Sequence, residues 1–336
     1  MKYAHLIETT RGHTPECHHF GSIVVVNHQG KVQAQVGDPH LMCFTRSTLK
    51  ALQALPLIES GAADAFAFDS RDLAMTCASH NGEDFHVQQV QSMLDKLKLN
   101  RNRLACGCHL PLQFVYTQAL APQGLTYDER HNNCSGKHVG FLATCLHLGL
   151  SMQDYLDPAH PLQVQIRQSV GRACDIDPNA MQSGLDGCSA PNYAMPLSSL
   201  ALGYARLASG QNDPEFGPAF ERLSQAMTTH PELVSGTHRN DLDFMKVGKG
   251  DWITKVGADG VQVVASRSRQ QALAIKILDG NKPALFAATL AAMDQLGWMT
   301  DSQKEALAPW AAKHITNAKG LVVGQRRSAF SLSGAA

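Results

Sequence analysis

A serine and a lysine three residues apart, Ser47 and Lys50, form the only Ser-x-x-Lys motif in this chain. Residues three apart on a helix lie on one face, so the hydroxyl and the amine can approach each other. A serine becomes a strong nucleophile when a base removes its proton, and a lysine kept neutral by burial or by a nearby cation can be that base. The motif predicts a nucleophile and its base; a helix-capping serine followed by a solvated lysine is the alternative interpretation.

Two further motifs follow in chain order. Ser79 and Asn81 lie two residues apart where Gly82 predicts a tight turn, although both residue types also favour turns for local reasons. Lys255 and Gly257 lie on a predicted strand before a turn. Ser-x-x-Lys, Ser-x-Asn and Lys-x-Gly stand in this order in serine β-lactamases and penicillin-binding proteins. The order predicts attack of the first serine on a carbonyl carbon, with the second serine and the last lysine extending the proton relay and stabilising charge.

A third group of reactive side chains, Cys134, Lys137 and His138, lies in a polar loop that leads into an apolar predicted helix. The N-terminus of a helix favours a thiolate or an anionic substrate group. A second loop bounded by glycine and proline, residues 186–191, contains Cys188. The two loops together supply two thiols and a lysine.

The hydrophobic pattern predicts strands at both ends of the chain and helices in the middle. The predicted strands are a hairpin at 21–37 and the segments 252–257, 261–265 and 271–278; the predicted helices include 47–55, 85–97, 139–148, 197–207, 218–230 and 283–296. Pro56 is expected to end the helix that carries the Ser-x-x-Lys motif.

This arrangement predicts an α/β (α+β) fold, a mostly antiparallel sheet flanked by helices with an inserted helical lobe. We expect a single unit over residues 1–336. Its sheet-and-helix lobe would comprise about residues 1–75 and 245–336, and its helical lobe about residues 76–244.

The composition of the 336-residue chain limits the functions to consider. Hydrophobic residues make up 44% and charged residues 17%, which is typical of a globular protein. Lysine plus arginine and aspartate plus glutamate number 29 each, so no net charge favours nucleic acid or a membrane surface as a partner. No signal peptide or apolar run of membrane-spanning length is recognised, and the nine cysteines are expected to be reduced thiols of a cytoplasmic protein.

Seven ordered blocks resemble the rhizobial-type (class 3) L-asparaginases, which are cytoplasmic amidohydrolases related in fold to serine β-lactamases and glutaminases. They are Arg46-Ser-Thr-Leu-Lys50, Gln53-Ala-Leu-Pro-Leu-Ile-Glu-Ser-Gly-Ala-Ala-Asp64, Ser79-His-Asn-Gly-Glu83, Cys106-Gly-Cys-His-Leu-Pro111, Asn132-Asn-Cys-Ser-Gly-Lys-His138, Asp186-Gly-Cys-Ser-Ala-Pro191 and Lys255-Val-Gly-Ala-Asp-Gly260. The resemblance covers nearly the whole chain, and the block at 132–138 is the most specific.

The resemblance implies a serine β-lactamase/transpeptidase-like fold, a homodimer and two Ser-Lys pairs, Ser47 with Lys50 and Ser79 with Lys255. It also implies that Arg46, His138 and Asp186 contact the substrate or position the residues that contact it. We add Asn81, beside Ser79, to these substrate-binding candidates.

The resemblance further implies one zinc ion per chain, bound by Cys134, Lys137 and Cys188. Two thiolates are ordinary zinc ligands and leave a position for water or substrate. A lysine ligand must lose its proton from a reference pKa of roughly 10.4, which a metal ion and burial can bring about. The alternative is a pair of loop thiols near a lysine that binds a carboxylate.

The expected activity is hydrolysis of L-asparagine to L-aspartate and ammonia. Ser47 would attack the side-chain amide with Lys50 as general base, and Ser79 and Lys255 would complete the relay. The sequence leaves open which of the two serines is the primary nucleophile. Backbone N–H groups, including that of Ser47, would hold the oxyanion, and water would release the acyl-enzyme.

Three alternatives stay open at this point. A zinc hydrolase could use metal-bound water as the attacking group, and a fold relative without activity could bind a small amino acid. A glutaminase is the nearest neighbour in chemistry, because one methylene changes binding in a pocket by only ~1–3 kcal/mol.

Overall fold

The computed structural model describes residues 3–334. Its strands are β1 (Ala4–Arg11), β2 (Thr14–Asn27), β3 (Val32–Val36), β4 (Met42–Phe44), β5 (Gln182–Leu185), β6 (Pro191–Pro196), β7 (Trp252–Gly257), β8 (Val261–Ser266), β9 (Gln271–Ile277), β10 (His314–Thr316) and β11 (Val322–Ser328).

The helices follow the same chain-order numbering. They are α1 (Lys50–Gln53), α2 (Leu55–Glu59), α3 (Ala62–Ala65), α4 (Ser70–Thr76), α5 (Asp84–Lys96), α6 (Leu112–Thr117), α7 (Ser135–His147), α8 (Pro161–Ala173), α9 (Leu197–Ser209), α10 (Gly217–Thr229), α11 (Pro231–Val234), α12 (Asn240–Gly248), α13 (Lys282–Gln295) and α14 (Asp301–Ala311). None of the helices between residues 3 and 334 combines the length and apolar character needed to cross a membrane.

Eight strands form one sheet in the order β10-β11-β1-β2-β9-β8-β7, and β3 pairs with β2 beside this path. All of these pairings are antiparallel. A second, three-stranded sheet has the order β4-β6-β5. The predicted mostly antiparallel sheet flanked by helices is therefore confirmed, and the predicted hairpin corresponds to β2 and β3.

Strand β2 is longer than the sequence pattern indicated. Its first half pairs with β1, from Ala4 opposite Gly21 to Arg11 opposite Thr14, and its second half pairs with β9 and β3. The first half is mostly exposed, so it lacks the apolar run that made the second half recognisable. The N-terminal strand β1 was not predicted either, because its longest apolar run is only two residues, Leu6 and Ile7.

Side chains alternate between the two faces of the sheet, and each face packs into its own hydrophobic core. Ile23 and Val25 point to one face and pack with Leu285 of α13, whereas Val24 and Val26 point to the opposite face. Because both faces are covered, every residue of β7 is buried. The larger core extends from the sheet into the helices between β4 and β7. The lobe boundaries near residues 75 and 245 stay a prediction.

The segment that carries the Ser-x-x-Lys motif differs from the predicted single helix. Residues Arg46–Leu49 form a 3-10 turn, α1 follows, and a new helix begins at Leu55. The prediction that Pro56 ends the helix is wrong, because Pro56 lies in the first turn of α2, where its missing N–H costs no helical hydrogen bond. All four residues of α1, including Lys50, are buried.

Candidate active site

Ser47 and Ser79 line the same cavity, which has a volume of about 160 Å³. Its other polar wall groups include Tyr116, Arg239 and Lys282. Larger clefts exist, such as one of about 470 Å³ beside α13 and α14, but that cleft contains none of the predicted site residues. Pockets for drug-sized ligands usually measure about 300–1,000 Å³, so the smaller cavity suits a ligand of amino-acid size.

Ser47 follows a strained residue. Arg46 has φ of 50°, a left-handed conformation that is unfavourable for a residue with a side chain. Buried Asn192 holds it there, because its Oδ1 accepts from the Arg46 N–H at 3.0 Å and its Nδ2 donates to the Arg46 carbonyl at 3.0 Å. No feature of the sequence singled out Asn192, since its contact lies far away along the chain.

The backbone around Ser47 is also shaped by the strand that carries Lys255. A Cβ atom on Gly257 would lie 3.0 Å from the Thr45 carbonyl oxygen and 3.2 Å from the Arg46 Cβ. The glycine therefore allows β7 to approach the turn closely. Within residues 3–334 the Ser47 hydroxyl and N–H make no hydrogen bond, so both groups are free to act on a molecule in the cavity.

Lys50 contacts Ser79 rather than Ser47. Its Nζ lies 2.8 Å from Ser79 Oγ, 2.6 Å from the Ala78 carbonyl oxygen and 3.3 Å from the Asn133 carbonyl oxygen. Carbonyl oxygens only accept, so they take two N–H groups of the lysine and leave the third direction for Ser79. A neutral Lys50 would then direct its lone pair at the Ser79 hydroxyl. The pairing differs from the one that the family resemblance implied.

Ser79 is held by its backbone. Its N–H donates to the Val234 carbonyl oxygen at 2.8 Å, and its own carbonyl accepts from Arg239 Nη1 at 3.2 Å. Asn81 is fully buried and accepts from the same Arg239 nitrogen at 2.9 Å. Asn81 thus positions Arg239 and does not line the cavity wall.

Lys255 is completely buried beside Asp241, with Nζ 3.5 Å from Asp241 Oδ2. Its Nζ also donates to the Val256 carbonyl at 3.0 Å, and no hydrogen bond joins it to Ser79 within the described residues. Burial, helped by the nearby charges of Lys50 and Arg239 and opposed by Asp241, lowers the pKa of Lys255 to about 8. The pKa of Lys255 therefore lies within about one unit of neutral pH.

Arg46 and Asp186 form an ion pair, in which Arg46 Nη2 lies 3.0 Å and Nε 3.1 Å from Asp186 Oδ1. The same guanidinium pairs with Asp259. The ion pair joins the Ser47 turn to the loop that contains Cys188. The predicted residues Arg46 and Asp186 are thus brought together.

The predicted zinc ligands also meet. Cys134, Lys137 and Cys188 are all buried, and Lys137 Nζ lies 3.3 Å from Cys188 Sγ. A hydrogen bond from Cys134 and the charge of Lys137 lower the pKa of the Cys188 thiol far below its usual range, while the pKa of Cys134 is raised. Burial alone would lower the pKa of Lys137, but the two sulfurs raise it overall.

The donor set fits a zinc ion. His138 is buried next to this cluster, where burial lowers its pKa and keeps the ring neutral. Its Nδ1 contacts the Tyr155 hydroxyl at 2.7 Å, whereas its Nε2 is buried without a hydrogen-bond partner among residues 3–334. Two sulfurs and an unsatisfied imidazole nitrogen suit zinc. Because the sulfurs raise the pKa of Lys137, its amine would have to lose a strongly held proton to become a ligand.

The cluster and the serines share a wall of the site. Asn133 lines the cavity, accepts from Lys50 through its carbonyl, and immediately precedes Cys134. Lys50 is close enough to lower the pKa of Cys134. Gly136 makes the approach of α7 to the end of α4 feasible, since a Cβ there would lie 2.2 Å from the Met75 carbonyl oxygen.

Comparisons with known proteins identify the family. The sequence model of the L-asparaginase II family matches residues 7–328. No curated protein sequence matches the chain. Among solved structures, a β-lactamase from Mycobacterium bovis matches with a TM-score of 0.44 and 13% sequence identity, over 82% of this chain and 94% of that one. The fold follows from the strand order of this chain. The family match confirms the resemblance found in the motifs: the chain belongs to the L-asparaginase II family and is a hydrolase of the L-asparaginase type.

Proposed function

We propose that the protein hydrolyses L-asparagine to L-aspartate and ammonia through a serine nucleophile and an acyl-enzyme. The observation that carries the proposal is the environment of Lys50, whose Nζ is held between two carbonyl oxygens and the Ser79 hydroxyl beside a cavity that Ser47 also lines. Lysine bases of this kind activate serine hydroxyls in acyl transfer.

In the proposed reaction, Ser47 Oγ attacks the side-chain amide carbon. Its proton passes to Ser79 Oγ, which gives its own proton to neutral Lys50. The free N–H of Ser47 donates to the developing oxyanion. The C–N bond then breaks as the proton returns through Ser79 to the leaving nitrogen, which departs as ammonia. Water hydrolyses the Ser47 ester with the same groups in reverse, and the charge of Lys255 stabilises the oxyanion.

A second assignment of the nucleophile rests on one contact. Because Lys50 bonds directly to Ser79, Ser79 could attack and Ser47 could orient the substrate. The two assignments differ in which serine carries the acyl group.

The experiment measures ammonia release from asparagine and glutamine by wild type, Ser47→Ala and Ser79→Ala. Quenched mixtures are digested and the acylated serine is located by mass spectrometry. We expect kcat to fall at least ~10³-fold in Ser47→Ala, as for loss of other serine nucleophiles, and the acyl group to lie on Ser47. An acyl group on Ser79 would select the second assignment. Turnover that survives both substitutions and disappears with chelator would favour a zinc hydrolase, and preferred turnover of glutamine would favour a glutaminase.

We further propose that Arg239 and Lys282 bind the substrate α-carboxylate. Both cations stack on Tyr116, with Arg239 4.2 Å and Lys282 Nζ 5.3 Å from the ring centroid, and both line the cavity. Cations held this way suit a carboxylate. Arg46, Asp186 and His138 stay proposed as groups that support the other side of the substrate.

This binding proposal is tested with 3-aminopropanamide, which is asparagine without its α-carboxylate. Lys282→Met should raise KM for asparagine at least ~tenfold, the loss of roughly one charge-assisted hydrogen bond. The same substitution should leave the already poor turnover of 3-aminopropanamide unchanged. An equal loss with both substrates would place the carboxylate elsewhere.

Zinc belongs to the same proposal, with Cys134, Lys137 and Cys188 as its ligands. The ion would supply a fixed positive charge that orients the substrate, while the serines and lysines perform the proton transfers. A cytoplasmic location and a homodimer, both implied by the family resemblance, complete the proposal; light scattering on the purified protein tests the dimer.

A further inference from the structure

We propose that His5, Glu8 and His18 form a second metal site, for a divalent transition ion of the zinc class. The three residues lie on strands β1 and β2, and none of them lines the cavity that contains Ser47 and Ser79. One ligand atom from each lies within 4.8 Å of the other two.

The spacing of the donor atoms suits tetrahedral coordination. His18 Nδ1 lies 3.1 Å from His5 Nε2 and 3.8 Å from Glu8 Oε2. Two nitrogens each bound at ~2.0–2.1 Å to one tetrahedral zinc would be about 3.3–3.4 Å apart. An ion could therefore take the place of the hydrogen bond between the two rings if His5 Nε2 gives up its contact with the Ile7 carbonyl oxygen at 3.2 Å and Glu8 moves slightly inward.

A β-bulge brings the side chains to one face of the sheet. In a regular strand His5 and Glu8, three residues apart, would point to opposite faces. The register of β1 against β2 shifts between His5 and Ile7, which places Glu8 opposite His18 while His5 lies opposite Phe20. Bulges redirect side chains in this way and occur often at functional sites.

The site is preorganised and open to solvent on one side. The His5 ring packs against Phe20, with ring centroids 5.2 Å apart, and against His18, with centroids 4.7 Å apart. The side chain of Glu8 is only 13% exposed, whereas that of His18 is 46% exposed. The ion would thus keep three protein ligands and take water at its open position.

Arg327 on β11 competes with the ion. It forms an ion pair with Glu8 from the neighbouring strand, and it neutralises the carboxylate when no metal is bound. If Glu8 served only in a surface ion pair, removal of Arg327 would weaken the cluster. If the cluster is a metal site, removal of Arg327 should increase its affinity for the ion. This opposite dependence separates the two interpretations.

Ligand chemistry selects the ion. Two imidazoles and one carboxylate suit Zn²⁺, Ni²⁺ and Cu²⁺, whereas Mg²⁺ and Ca²⁺ prefer oxygen ligands alone. The site contains no sulfur, so its spectroscopic signature differs from that of any ion held by Cys134 and Cys188.

The test is binding of Co²⁺ and Zn²⁺ to the full-length protein, comparing His18→Gln and Glu8→Gln with His13→Gln. His13 is a matched control, since it is an exposed histidine outside the cluster. Equilibrium dialysis gives stoichiometry and affinity, and Co²⁺ absorption separates thiolate-bound from histidine-bound ions. Thermal melting and asparagine turnover show that each variant is folded.

We expect wild type and His13→Gln to bind one more ion per chain than His18→Gln and Glu8→Gln do. If the two cluster variants still bind an ion at this site, their affinity for it should be at least ~tenfold weaker. The absorption spectrum of the Co²⁺ ion that is lost in the cluster variants should lack sulfur-to-metal charge-transfer bands. Arg327→Gln should tighten binding at this site, and Mg²⁺ in excess should not displace the ion. Equal binding by wild type and both cluster variants, or weaker binding in Arg327→Gln, would overturn the proposal.

Discussion

Replacing Asn192 by alanine separates the positioning of Ser47 from the stability of the fold. The wild-type side chain makes two hydrogen bonds to the backbone of Arg46, at 3.0 Å each. A typical net contribution is ~1 kcal/mol per bond, so the pair contributes about 2 kcal/mol. The left-handed conformation of Arg46 costs about 1–2 kcal/mol, and the two bonds therefore approximately offset it.

Without the Asn192 side chain, Arg46 loses the two backbone hydrogen bonds that offset the cost of its left-handed conformation. Its relaxation recovers the strain, so the free energy of unfolding should fall by only about 1 kcal/mol. The same relaxation moves Ser47, and a displacement of about 1 Å in a catalytic group costs roughly 10²-fold in rate. We therefore expect kcat to fall ~10–100-fold, with a much smaller change in KM.

The assay combines steady-state ammonia release with urea denaturation of Asn192→Ala. Asn27→Ala is the matched control, because Asn27 Oδ1 also accepts two backbone N–H groups, from Gln29 and Lys31, but in a hairpin turn remote in sequence from the site. The control should lose a similar amount of stability and keep its kcat. Unchanged kcat in Asn192→Ala, or a loss of more than about 3 kcal/mol in stability, would refute the strained-turn argument.

Further predictions concern Lys255 and the metal cluster. The pKa of Lys255 is about 8, and its positive charge is proposed to stabilise the oxyanion. Because that charge is lost on deprotonation, kcat/KM should fall as the pH rises through about 8. A rise in kcat/KM over this range would contradict the proposed role. The unfolded lysine, with a pKa of 10.5, binds more protons than the folded one between these values. The free energy of unfolding should therefore rise with pH from about 8 to 10.5, and Lys255→Met should remove that slope. Asp241→Asn leaves Lys255 buried without its counter-charge, so the free energy of unfolding measured by urea denaturation should fall by ~3–5 kcal/mol. The double variant Asp241→Asn/Lys255→Met should regain part of this loss. Wild-type stability of Asp241→Asn would contradict the argument. Chelation of zinc should raise KM for asparagine more than it lowers kcat, and added zinc should reverse the effect; a pure loss of kcat would contradict an orienting role.

Local signals in the sequence predicted the main elements. The hairpin of β2 and β3, the strands β7 to β9 and helices such as α9 follow from periodicity and turn residues that act over a few positions. Strands β1 and β11 escaped prediction as a pair, because their residues alternate little in polarity and their pairing is set by distant parts of the chain.

The site was predictable as a set of residues but not as a set of contacts. Motif spacing pointed to Ser47, Lys50, Ser79 and Lys255, yet spacing alone does not decide which serine the buried Lys50 contacts. That choice depends on the carbonyl oxygens around its amine, which come from other segments. The role of Asn192 was hidden for the same reason.

The position of β2 has a consequence for how the chain folds. Its second half pairs with β9, so that Asn27 lies opposite Gln271, and nearly all of the helices are synthesised between the two strands. Until β9 emerges from the ribosome, the apolar stretch from Ile23 to Val26 keeps an unpaired edge, which is a hazard for aggregation. Contacts so distant in sequence slow folding. A nascent chain of this protein should therefore depend on chaperones until residue 277 is exposed, and truncations before β9 should be insoluble.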